Sequence, residues 1–284
     1  MRAGDSRFVA EQTIHISAPV VNAPAPSKAA AFWSGTFMPR LIVGFVIVFI
    51  WELVVRAVAP AYVAKPTTVL TAIPRVIVDP AFLHATGATL AAVAEGLVIA
   101  LIFGTIIGLL MGRSTVCERA IRHYVNGFYA VPMIVVLPLF SLWFGYSGST
   151  RIATIIFAAI FSIIINVADG ARSVPREFME VARSFRSGRL SMLLGIVLPA
   201  SMPYLLAGVR LAAGRALIGA VVAEFFISVG GLGYYILYNS RSYHHNEAFV
   251  GVLLLAAFGV GFELLVNGAT RRYMPWYRRD EKAS

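Results

Sequence analysis

Apolar residues in this chain come in long unbroken runs separated by short polar segments. Six runs approach the roughly 20 residues that an α-helix needs to cross a bilayer. They lie at about 41–60 (LIVGFVIVFIWELVVRAVAP), 87–111, 125–144, 151–169, 203–226 and 248–269. The third contains Pro132 and Pro138. Inside a membrane bundle the carbonyls freed by proline find other partners, so this run is read as one span. Residues 1–37 are polar, Ala/Pro-rich and without periodicity. They lack the apolar core of a signal peptide and are expected to be a disordered tail, with a second short tail at 276–284. The pattern predicts an all-α polytopic membrane domain over 38–275.

Three of the intervening segments carry patterns of their own. The segment 61–86 contains TTVLTAIPRVIV, which predicts a short interfacial helix. The segment 227–247 begins ISVGGLGYYIL, and its glycines predict a turn or a re-entrant piece covered by protein or water. Within the connection 170–200, Ser173 suits a helix start, Pro175 its first turn and Glu177 the positive dipole end. A helix over about 175–186 would place Phe178, Val181, Ala182 and Phe185 on one side and Arg176, Glu180 and Arg183 elsewhere. Gly188 would break it, and a second short helix over about 189–198 would end at Pro199. On spacing alone, an amphipathic surface loop explains this as well as a functional peg does.

Composition narrows the class. The chain of 284 residues is 58% hydrophobic and 13% charged, against about 45–50% and about 25% in soluble proteins. Its mean hydropathy is +0.77, yet its net charge is +10. So little charge cannot cover a soluble enzyme, and the basic residues are too dilute for nucleic acid, so no nucleic-acid partner is expected. The basic residues set an orientation. With the N-terminus inside, cytoplasmic segments hold four Lys/Arg in 1–40, three in 113–122, five in 172–189 and five in 271–282. The outer segments hold only Lys65, Arg75, Arg151 and Arg241. Both termini are therefore expected in the cytoplasm, with the loop 170–200.

Candidate chemistry is mostly negative. Cys117 is the only cysteine, so no intrachain disulfide is possible. Neither G-x-x-x-x-G-K-[ST], H-E-x-x-H nor G-x-S-x-G occurs. The chain is thus no P-loop ATPase, and no catalytic residue or cofactor is expected. His244 and His245, with Glu247 at most, are too few for a metal site, so no metal is expected.

Charges within the apolar runs stand out because they are costly there. Glu52 and Arg56, four apart, can pair with each other. Glu95 and Glu263 have no local partner and are candidate pathway or interhelical residues. In the fifth run Gly208, Ala212, Ala216 and Ala220 recur every four residues and lead to Glu224. That spacing permits close helix approach, and packing and pathway lining account for it equally. Arg210 and Arg215, placed nearer the inner end of this run, would attract an anion or pair with Asp169 or Glu180. Gly104, Gly108 and Gly112 form another stripe, read as packing.

The inner loop also resembles a known motif. Glu180-Val181-Ala182, then position 186, then Ile196, Leu198 and Pro199 have the spacing of the EAA motif of ABC-importer permeases, E-A-A-x-x-x-G followed by nine residues and I-x-L-P. Val181 replaces the second-place alanine, and Arg186 stands where that family usually has glycine, with Gly188 two residues on. The flanks VPMIVVLPLFSLWFG (131–145), LPASMPYLLAGVRLAAGRALIGAVVAE (198–224) and GGLGYYI (230–236) resemble the permeases that import nitrate, sulfonates, taurine and related molecules. The resemblance covers roughly 40–275 and implies a type I ABC importer permease (MetI-like) fold of six transmembrane helices in a bacterial inner membrane. It implies a permease homodimer, two ATP-binding cassette subunits, a periplasmic or lipid-anchored substrate-binding protein, and a small anionic solute. By the same resemblance, Glu180, Val181, Ala182, Arg183, Arg186, Gly188, Ile196, Leu198 and Pro199 form the loop that couples to the ATPase. Glu180 would make its polar contact and Ala182 would allow close approach. The alternatives are a self-sufficient secondary transporter or channel, and a membrane-embedded enzyme; neither explains the loop.

Overall fold

The computed structural model describes residues 37–58, 60 and 63–273. The expected tails lie outside these residues, apart from Phe37. The regular elements among them are all helical: α1 (Phe37–Val58), α2 (Pro66–Val76), α3 (Pro80–Arg113), α4 (Thr115–Ala130), α5 (Met133–Phe144), α6 (Gly148–Arg172), α7 (Arg176–Ser184), α8 (Arg189–Met192), α9 (Leu198–Ile227), α10 (Leu232–Arg241) and α11 (His245–Tyr273). The chain divides into two units, one ending at Ile50 and one beginning at Trp51. The first contains the start of α1, an apolar helix. The second holds the rest of α1 and every later helix.

The centre of the second unit is α6, which packs along α3 and along α9. Ile155, Ala159, Ile163, Val167 and Ala171 recur every four residues on α6 and are all 0% exposed. Helices in lipid gain little from hiding apolar surface, so close contact must come from small residues. Both neighbours supply them. On α3, a Cβ at Gly96 would overlap Ile155, and one at Gly108 would sit 2.8 Å from the Ile164 carbonyl oxygen. The Gly104 and Gly112 positions face α6 as well. On α9, Ala212, Ala216 and Ala220 are fully buried, and a Cβ at Gly208 would lie 3.0 Å from Asn166.

One expected span and one expected loop helix are built differently. The run at 125–144 is not one straight helix: α4 and α5 meet at a bend of 102°. Pro132 has no N–H to donate and holds Val131 in an extended conformation (ψ 126°), so the helix ends before it. Also, α4 starts ten residues before the run, at Thr115, where the Ser114 hydroxyl accepts from the Cys117 N–H. Among the described residues, five helices are long and apolar enough to cross a membrane, and a sixth if the bent pair is one span.

The helix expected to end at Pro199 does not stop there. Instead α8 runs through a π-helical turn, Leu193–Val197, directly into α9. A wider turn just before the proline relieves the clash between its ring and the preceding carbonyls. The helix starting at Arg189 thus becomes a single rod reaching Ile227. The short helix expected in 61–86 is present as α2. The glycine-rich segment after α9 turns at Ser228 (φ 51°) and folds back as α10, with Leu232, Gly233, Ile236 and Asn239 buried.

Candidate functional site

Residues flagged by the sequence fall into three places: the end of the bundle capped by α7, the opposite end capped by α2 and α10, and the bundle itself.

At the first end, α7 rests on the bundle through Met179 and Ala182, which are buried in the main core with Ala171, Val174 and Met192. Phe178, Val181 and Phe185 point the other way; Phe178 is 59% and Phe185 81% exposed. The expected grouping of Ala182 with these three is therefore wrong. Round the helix, Met179 lies about 100° and Ala182 about 40° from Phe178, so the buried face begins beside the exposed stripe and takes Ala182 at its edge. Ala182 is small where α7 approaches its own bundle, rather than another chain. Glu180 and Arg183 are exposed beside the outward apolar side chains, as are Leu190 and Leu194 of the next segment. Ile196 and Leu198 are half-buried, and Pro199 is exposed.

The bend between α7 and α8 is also placed differently. Ser187 N–H donates to Ala182 O (3.1 Å) and Arg186 N–H to Arg183 O (2.8 Å). Arg186 takes the left-handed conformation (φ 51°) that completes this helix end. Gly188, expected to supply the turn, is extended (φ −64°, ψ 155°) and serves as the residue before α8. The root of the loop is fastened by Arg172, which bonds Asp169 (2.8 Å) and also Glu118 of α4; Arg122 pairs with the same Glu118.

At the opposite end, Glu224 is 0% exposed at the heart of a polar network. Its Oε1 accepts from Thr89 Oγ1 of α3 (2.8 Å) and Arg151 Nη1 of α6 (3.2 Å), and its Oε2 accepts from Gly233 N–H (2.8 Å). Thr89 Oγ1 in turn accepts from Leu232 N–H (2.7 Å), and Arg151 Nη1 also donates to Gly230 O (2.9 Å). The carboxylate thus satisfies the start of α10, where the helix dipole favours negative charge. A side chain at Gly231 would overlap the carboxylate, which is why the turn needs glycine there. Beside this network lies a recess of about 760 Å³ lined by Arg75, Asp79, His84, Tyr234, Tyr235 and Tyr238, among others. Burial raises the Tyr235 phenol above its ordinary value, with Asp79 and Glu247 adding to the effect, so its hydroxyl stays protonated.

Within the bundle, Gly208, Ala212, Ala216 and Ala220 face α6, so packing is the role their geometry displays. Arg210 does not reach Asp169 or Glu180: its Nη2 bonds Glu263 Oε1 of α11 at 2.9 Å. Arg215 does not reach them either; its guanidinium lies 3.8 Å from the centroid of the Tyr129 ring. Both arginines sit in the middle third of α9 (30 residues), not near its inner end. Glu95 is exposed on α3. Glu52 pairs with Arg56 (2.5 Å) and also accepts from Thr67 N–H (3.1 Å) of α2. Sequence reasoning missed Thr89, Arg151 and Tyr129. Each is unremarkable in its own segment and acquires a partner only when distant helices meet.

Comparison with known proteins agrees with this geometry. Residues 100–279 match the family described as binding-protein-dependent transport system inner membrane component. The chain is 29% identical over 262 residues to the putative aliphatic sulfonates transport permease protein SsuC of Bacillus subtilis, covering 92% of this chain and 95% of that one. It is 30% identical over 250 residues to the nitrate import permease protein NrtB of Leptolyngbya laminosa (84% and 88% covered). It is 25% identical over 239 residues to the taurine transport system permease protein TauC of Escherichia coli (82% and 87% covered). Among solved structures, the inward-facing MetNI methionine ABC transporter aligns with TM-score 0.61 at 16% identity, over 68% of this chain and 95% of that one. A bacterial ABC transporter involved in the import of the acidic polysaccharide alginate also aligns with TM-score 0.61, at 14% identity, over 87% and 94%.

Proposed function

Because the chain belongs to the family of binding-protein-dependent transport system inner membrane components, we propose that it is the pathway-forming permease of an importer for small anions and that α7 is its drive point. As a member it is a multi-pass inner-membrane ABC permease that works with a separate ATPase and a substrate-binding protein, and it catalyses nothing itself. Membership removes the self-sufficient carrier or channel from consideration.

The observation that carries the drive point is the two-faced α7. Its inner face is seated on the ends of α6 and of the α8–α9 rod, while its outer face offers Phe178, Val181 and Phe185 with Glu180 and Arg183 around them. A load applied to α7 therefore reaches two helices that are packed together along their length. An interface of that kind, apolar at its centre and charged at its rim, suits a protein partner. In the proposed arrangement two copies of the chain pair, each docking one ATPase at α7 from the cytoplasm, with both termini on that side. ATP-driven closure of the ATPases would rock the α7 helices and turn the pathway outward. The binding protein would deliver solute at the end closed by α2 and α10. The relatives' sulfonate, nitrate and taurine all carry an anionic oxygen group, which is the basis for the solute class.

The test is Glu180→Ala in the assembled importer. Uptake is expected to be abolished and the ATPase to copurify poorly, with the permease still inserted. Normal uptake with an intact complex sinks the role of α7.

A further inference from the structure

We propose that the recess at the α4–α5 bend is an anion station midway along the pathway, with Arg215 as its binding charge. The inference rests on the importer reading above and names where its anion pauses.

Depth comes first. Arg215 lies 17 residues past the start of α9 and 12 before its end, or about 26 Å and about 18 Å at helical rise. Across the recess stands Ala158, well inside the 25 residues of α6. Two helices thus independently place the recess within the apolar slab. A charged side chain at that depth is costly even by lenient scales, so something must justify its retention.

No carboxylate does. Glu52 with Arg56, Glu224 with Arg151 and Glu263 with Arg210 pair the neighbouring charges. Among the described residues Arg215 forms no ion pair, and Glu95 is the other charge within the spans that forms none. The Tyr129 ring covers one face of the guanidinium. A cation–π contact of this kind orients the group and leaves its N–H donors at the edge unused. Arg210, only five residues away, is already neutralised by Glu263, so Arg215 is the cation available to a ligand.

The space suits a small oxyanion. The recess is about 380 Å³, with Phe128, Phe157, Phe161, Met133 and Ile218 around the arginine and its tyrosine. Its opening is created by the bend itself, where Val131 and Pro132 replace a helical turn by extended backbone. A planar guanidinium presents a fork that matches sulfonate, nitrate or carboxylate oxygens. The apolar walls supply few other hydrogen bonds, which keeps the anion weakly held, as a passage site requires.

The experiment uses the whole importer, permease with ATPase and binding protein, in proteoliposomes. Uptake of nitrate, ethanesulfonate and taurine is measured separately. For whichever of them wild type imports, Arg215→Gln and Ile218→Glu are each expected to lower uptake about tenfold or more, the second by placing a carboxylate one turn from the arginine. Arg215→Lys, which keeps the charge but loses the fork and its stacking on Tyr129, should take up solute at a rate between wild type and Arg215→Gln, and loaded binding protein should still stimulate ATP hydrolysis in all three variants. That stimulation separates loss of a binding charge from loss of assembly. Equal uptake by wild type and Arg215→Gln overturns the station and leaves the importer reading standing. If Arg215→Gln does not assemble, Ile218→Glu decides alone, and unchanged uptake there overturns the station. Wild-type import of a solute without an anionic group, and of none of nitrate, ethanesulfonate and taurine, overturns the solute class and the station together.

Discussion

The two ends of the bundle are finished in opposite ways. Where α10 folds back, polar groups are buried and satisfy one another: Glu224, Thr89 and Arg151 bind the turn and the first amides of α10 from three different helices. Where α7 sits, large apolar groups stand exposed and only Met179 and Ala182 hold the helix down. The first arrangement completes the fold from within. The second leaves an apolar surface open, which the proposed ATPase contact would cover. A buried carboxylate is tolerable only with full hydrogen bonding, whereas an exposed apolar patch persists because a partner covers it.

This contrast is broken most severely at Glu224. Glu224→Ala leaves Arg151, whose side chain is 13% exposed, without its counter-charge, and frees the Gly233 amide inside protein. Removing one partner of a buried pair costs about 3–5 kcal/mol. The purified permease should melt at a clearly lower temperature, and Glu224→Ala combined with Arg151→Ala should recover part of the loss. A wild-type melting temperature for the single variant would show that the network does not lock this end.

At the other end the expectation reverses. Phe185→Asp should leave the melting temperature of the permease alone almost unchanged, within about 0.5 kcal/mol, because the side chain is solvent-facing. Its affinity for the ATPase should fall about tenfold or more, equivalent to about 1.4 kcal/mol. Copurification together with melting reads both. A variant that destabilises the isolated permease yet binds the ATPase normally would mean that the apolar face serves the fold after all.

The same contrast explains what could be read before the fold was known. The spans, α2 and the packing stripes are local: an apolar run or a four-residue spacing contains its own signal. The bend at Pro132 was visible as a residue but not as a consequence, because proline is tolerated within many spans. The spacing groups Ala182 with Phe178, Val181 and Phe185 but does not say which side of α7 is buried, and an apolar stripe ordinarily marks a buried face. Here Phe178, Val181 and Phe185 form the more conspicuous stripe and face outward, while Met179 and Ala182 carry the burial. Glu224 drew notice as a carboxylate in an apolar run, but Thr89 and Arg151 lie 135 and 73 residues away. Nothing in their own segments marks them. Arg210 and Glu263 were both singled out, yet their pairing depends on how α9 meets α11.

The smallest expected effect concerns the turn after α7. Arg186 occupies the left-handed position that closes the helix, which costs an ordinary residue about 1–2 kcal/mol and glycine nothing. Glycine gives back about 0.5–1 kcal/mol through its freer unfolded chain. Arg186→Gly should therefore stabilise the turn by about 0.5–1 kcal/mol, slowing exchange of the Ser187 amide, which donates to Ala182 O, by about two- to fivefold. Gly188→Ala should leave that amide unchanged, since Gly188 has an extended backbone and no atom crowds its open side. Faster exchange in Gly188→Ala with no change in Arg186→Gly would return the bend to the glycine. The tighter turn should also hold the outward face of α7 more firmly, so the docking end would gain order without gaining a buried contact.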